Sequence, residues 1–97
     1  MNTRIIIPTI HALKQAYRRG ITPEMIQDTI NYGKLIRKQG LTFYVMLKKL
    51  VPQDFTPQYQ EKIKDTTVIL SARGTIVTVY KNKHAFKSIR KKSTYLK

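Results

Sequence analysis

The sequence predicts an α+β domain: two N-terminal helices packed on one face of an antiparallel sheet of about four strands. Three observations carry that expectation. Two capped helical patterns come first, between Thr9 and Gly33. Runs of alternating or β-branched residues follow, over 34–50 and 67–81. Short turn signals join these runs in pairs, and helices segregated before strands argue α+β.

The first helix starts at Thr9, a good N-cap, and runs to about Arg19. Ile10, Leu13 and Tyr17 fall at i, i+3 and i+7 and are expected to form its core stripe. Gly20 ends it. Thr22 caps the second helix, Pro23 suits its first position, and Ile21 and Ile26 have the spacing of a hydrophobic staple. Gly33 is the expected stop after Tyr32.

Two strand patterns, Lys34–Lys38 and Leu41–Leu50, flank a hairpin turn at Gln39-Gly40. Phe43, Val45 and Leu47 alternate with Tyr44, Met46 and Lys48, one face buried and one more polar. A loop follows at 52–57, and 58–65 reads equally as a short helix or as disorder. The β-branched runs Thr67–Ser71 and Thr75–Lys81 meet at Ala72-Arg73-Gly74. Val77 and Val79 are the expected core face of the last strand. Ile76, Thr78 and Tyr80 then point the other way, across a sheet face left open. Residues 82–97 are a basic tail or short helix, with a weak stripe of Ala85, Phe86 and Ile89.

Ninety-seven residues is the size of one domain, 1–97. No apolar run approaches the ~20 residues of a membrane span. The N-terminal apolar run, Ile5-Ile6-Ile7, is too short for a secretory signal. Cysteine is absent, which excludes a disulfide framework, a thiolate nucleophile and Cys-ligated metal sites. The expected location is the cytoplasm, and no cofactor or metal is expected.

Charge narrows the partner. Nineteen Lys and Arg stand against five Asp and Glu, a net charge of +14. Residues 66–97 hold eight basic side chains and no acidic one. Such a surface repels itself unless a polyanion covers part of it. RNA or DNA is the leading partner, because phosphate neutralisation releases counterions. An acidic protein is the runner-up, and no membrane partner is expected.

Three places offer chemistry. On the first helix His11, Lys14, Gln15 and Arg18 share about a third of the circumference. Histidine exchanges protons near neutral pH, and cations beside it suit phosphate. The same residues also read as a solvated basic face. On the last strand, Thr78 and Tyr80 with Lys81, and Tyr44 and Lys48 as expected neighbours, would offer hydroxyls, aromatics and cations to RNA. In the tail, Arg90, Lys91 and Lys92, with Lys83, Lys87 and Lys97, are candidate phosphate contacts.

His11-Ala12, Arg19-Gly20-Ile21-Thr22, Gly33 and Ile76-Val77-Thr78-Val79-Tyr80 occur in a recognisable order. Together they resemble a family of small bacterial domains with a His-Ala, Arg-Gly-Ile-Ser/Thr and Thr-Val-Tyr signature. That family is similar to the Barnase–EndoU–colicin–RelE superfamily of metal-independent ribonuclease toxins. The resemblance spans about Thr9 to Tyr80. It implies a RelE-like fold and a site of His11, Arg19 and Thr78 with Tyr80 beside them. The family often carries Arg four residues after the histidine, where this chain has Gln15. It further implies RNA cleavage to a 2′,3′-cyclic phosphate, and an acidic antitoxin or immunity protein as partner. A non-catalytic RNA- or DNA-binding module is the alternative. A first helix packed on the Val77/Val79 face would leave Thr78 pointing away from His11, so the two would meet only near an edge or through strong twist.

Overall fold

Thr9 opens the first helix by accepting the Ala12 N–H on its hydroxyl, at 3.0 Å. The helix, α1, runs over Ile10–Arg18, and the computed structural model describes residues 9–92 of the chain. The Ile5-Ile6-Ile7 run and residue Lys97 lie outside the described residues. Thr22 caps α2 (Pro23–Tyr32) in the same way, accepting the Met25 N–H at 3.1 Å. Ile21 and Ile26 are both buried, as a staple requires.

Gly33 ends α2 for a reason other than the expected one. Its φ is −73°, an ordinary extended value, so no left-handed cap is made. A Cβ there would sit 2.5 Å from the Thr29 carbonyl oxygen and 3.0 Å from that of Val45. The glycine leaves room for the helix end to approach the sheet.

Four strands form one antiparallel sheet in the order β1-β2-β3-β4: Lys34–Lys38, Leu41–Val45, Thr66–Leu70 and Ile76–Lys81. The β1–β2 hairpin turns at Gln39 and Gly40, both at positive φ. The second strand is shorter than expected. It stops at Val45, and a single 3-10 turn over Lys48–Leu50 follows. Residues 57–63 are helical (α3, Pro57–Ile63), with Thr56 as cap and Pro57 at the first position. A short helix α4 spans Ala85–Arg90.

Both sheet faces carry helices. On one, Ala12, Ala16, Ile21, Met25, Ile26 and Ile63 pack with Met46, Val68, Leu70, Ile76 and Val79. Tyr59 of α3 ties to α2 by donating its hydroxyl to Asp28 Oδ2 at 2.7 Å. On the other face, Ala85 and Ile89 of α4 bury Phe43 and Val45. The second face is therefore partly covered, where an open face was expected. Tyr44 and Met46, expected on a more polar face, belong to the main core side.

Two expectations fail on geometry. Ile10, Leu13 and Tyr17 are 73%, 48% and 89% exposed, while Ala12 and Ala16 are buried. The small side chains let α1 lie close to the sheet, which turns the large ones outward. In β4 a bulge inserts one residue: Ile69 pairs with Thr78, but Leu70 pairs with Ile76, leaving Val77 unmatched. Strict alternation would set Ile76 with Thr78. The bulge instead brings Ile76 and Val79 to the same core and leaves Val77 half-buried.

Candidate functional site

The first helix lies along the outer edge of β4, the last strand of the sheet. An edge strand presents unpaired N–H and C=O groups, and here the helix supplies their partners. The Thr9 N–H donates to the Ile76 carbonyl at 3.0 Å. Arg19 Nη1 donates to the Val79 carbonyl at 3.0 Å. Gln15 Oε1 accepts the Val79 N–H at 3.4 Å and the Thr78 hydroxyl at 3.2 Å.

Thr78 reaches Gln15 because of where it stands. By register it lies opposite Ile69, which packs with the α4 core, so its side chain belongs to the second face. The strand is an edge, however, and its hydroxyl meets the helix around that edge. The conflict between a helix on the Val79 face and a Thr78 pointing away is resolved in this way.

His11 stands one turn before Gln15 and is exposed, as are Lys14, Arg18 and Arg19. Gln15 and Thr78 are half-buried. Tyr80 lies opposite Thr67 and packs half-buried against the α4 core. Burial pushes its phenol above the usual range, with the Thr67 hydroxyl acting in the opposite direction. Thus Gln15, Arg19 and Thr78 converge, with His11 one turn away.

The other expected neighbours are elsewhere. Tyr44 pairs with Val68 on β3 and packs against the main core, on the opposite face from Thr78 and Tyr80. Lys81 donates to the Glu61 carbonyl of α3 at 3.3 Å. The Glu61 carboxyl is held below its usual range first by its hydrogen bond and ion pair with Lys64, then by Lys48 and Lys81. Lys48 and Lys81 therefore serve the α3 side.

The acidic residues are confined to one layer. Glu24 and Asp28 lie on α2, Asp54 in the loop before α3, Glu61 on α3 and Asp65 just after it. On the second face, Lys87, Arg90 and Lys91 line a concavity of about 420 Å³ on α4. Arg90 lies over the Phe86 ring at 5.4 Å. Lys83 and Lys92 flank the same helix, and Lys34 shares its sheet face by pairing with Val45. Residues 93–97, the end of the basic tail, lie outside the described residues.

Among the described residues no group of three or more His, Asp or Glu is placed to hold a metal ion. None of their helices is long and apolar enough to cross a membrane. The bulge had no signal in the sequence pattern, whereas the polar residues at 15 and 19 beside the small-residue stripe of Ala12 and Ala16 were a trace of the edge-lying helix. No protein-family model, curated protein or solved structure matches the chain.

Proposed function

We propose that this protein is a metal-independent endoribonuclease of the toxin type, working at the α1–β4 edge. The observation that carries the reading is the meeting of Gln15 and Thr78, 63 residues apart, beside Arg19 and His11. The family resemblance assigns the site to His11, Arg19 and Thr78, with Tyr80 beside them, and has Arg where this chain has Gln15. The acid-free α4 side supports a polyanionic substrate.

The reaction needs a base, an acid and cations. His11, solvent-facing, takes the proton from a ribose 2′-OH or delivers one to the leaving oxygen. The 2′ oxygen forms a bond to phosphorus and the P–O5′ bond breaks. The 5′ oxygen gains a proton equivalent to the one lost by the 2′-OH, returned by the protonated His11 or by solvent, leaving a 2′,3′-cyclic phosphate and a 5′-OH with no other reactant consumed. Arg19 keeps guanidinium donors beyond the one given to Val79, and Arg18 adds charge on the same helix.

One observation favours a second reading, an RNA- or DNA-binding module without catalysis. The Gln15 oxygen, the Thr78 hydroxyl and one Arg19 nitrogen are all engaged in closing the strand edge. Incubation of the chain with labelled tRNA and mRNA in excess EDTA separates the two. Cleavage to cyclic phosphate ends, lost in His11→Ala, supports the enzyme. Intact RNA, retained in a salt-dependent way and indifferent to His11→Ala, supports the binding module.

A further inference from the structure

We infer that α1 is also a docking surface for an acidic amphipathic helix of another protein. The inference does not rest on the ribonuclease reading. Ile10, Leu13 and Tyr17 form a two-turn apolar seam and are 73%, 48% and 89% exposed. Three large apolar side chains at i, i+3 and i+7 on a surface helix form a contiguous stripe, not scattered exposure. Their exposure follows from how α1 is held. Ala12 and Ala16 pack inward, and Gln15 and Arg19 bind β4.

The borders of the seam identify its occupant. At 100° per residue, Lys14 and Arg18 fall immediately beside Ile10 and Tyr17, with His11 next. None of these three cations or imidazole-bearing residues has a carboxylate partner on its own helix, which contains no acidic residue. A partner that lays an apolar ridge on the seam must therefore meet positive charge along one side. Glu or Asp flanking that ridge complements it. A second copy does not fit. An antiparallel two-fold pairing through this seam would set the Lys14 and Arg18 flanks against each other, and any pairing would bring together chains of net charge +14. The seam is only two helical turns long, which matches one partner helix and gives little purchase on a bilayer.

The test uses a synthetic helix of about 20 residues with a Leu ridge flanked by Glu, and the same ridge flanked by Lys as control. Binding to the full chain is read by fluorescence anisotropy. The Glu-flanked peptide should bind, the Lys-flanked one should not, and Leu13→Ser or Tyr17→Ser should each weaken binding about tenfold. Both substituted positions are exposed, so circular dichroism and Tm should remain those of the parent. Peptide affinity indifferent to Leu13→Ser and Tyr17→Ser would overturn the proposal, since charge alone would then be at work. So would concentration-dependent dimerisation abolished by Tyr17→Ser, which assigns the seam to a second copy. Stronger seam-dependent binding to phosphatidylserine vesicles than to the peptide would assign it to a membrane.

Discussion

The side-chain oxygen of Gln15 accepts the hydroxyl of Thr78 at 3.2 Å, joining the first helix to the last strand across 63 residues of sequence. The same oxygen takes the Val79 N–H, and Arg19 takes the Val79 carbonyl. One helix thus gives an edge strand both partners that a neighbouring strand would have given it.

Removing those partners should cost stability as well as any activity. Arg19→Ala leaves the Val79 carbonyl without its donor, and Gln15→Leu leaves the Val79 N–H and the Thr78 hydroxyl without their acceptor. Each is expected to lose about 1–2 kcal/mol in urea unfolding. His11→Ala, at an exposed position, should stay within about 0.5 kcal/mol of the parent. RNA assays on the Arg19 and Gln15 variants therefore need folding checks that the His11 variant does not.

The inner and outer stripes of α1 should respond in opposite ways to size. Ala16→Leu forces added volume between helix and sheet and should destabilise by about 1–3 kcal/mol. Tyr17→Ser, one residue on, should leave unfolding nearly unchanged. Equal losses at both positions would contradict the orientation of the helix.

Gly33→Ala should destabilise by about 2 kcal/mol or more, because the new methyl meets the backbone oxygens of Thr29 and Val45. The neighbouring exposed position offers a control: Tyr32→Ala should be milder. Chemical denaturation with an unchanged m value would mark the loss as one of native packing.

Alkaline pH should weaken the fold. Burial, the hydrogen bond to Asp28 and the nearby Asp28 and Glu24 charges push the Tyr59 phenol well up, and burial also raises Tyr80. A raised folded pKa means the native state keeps a proton that the unfolded chain releases. That contribution is fully present below the unfolded tyrosine value of about 10 and is lost as pH climbs through the folded one. Unfolding free energy should therefore fall above about pH 10, and Tyr59→Phe should flatten that fall. Ultraviolet difference absorbance should show these two phenols ionising above the usual tyrosine range.

Much of the fold was legible from local chemistry. Thr9 and Thr22 cap helices because a β-region hydroxyl accepts the N–H groups a helix start leaves free. Gln39-Gly40 turns a hairpin with both residues at positive φ, a conformation that Gly40 adopts at no steric cost. The charge excess and the absence of cysteine are properties of composition and need no fold at all.

The tertiary structure decided what periodicity cannot carry. Period alone marked Ile10, Leu13 and Tyr17 as the inward stripe, yet a helix can turn either face to a sheet. Close packing of Ala12 and Ala16, with three hydrogen-bonding groups on an unpaired strand edge, chose the other one. Likewise, alternation assigned Val77 to the core, and a single inserted residue in the β3–β4 pairing moved Ile76 there instead. Caps, turns and composition act over a few residues, so local chemistry carried the two N-terminal helices, the β1–β2 hairpin and the positive charge, but neither the end of β2 at Val45 nor the helix over Pro57–Ile63. Which faces meet, and hence which residues of the α1–β4 edge stand together, depended on long-range pairing that no local pattern encodes.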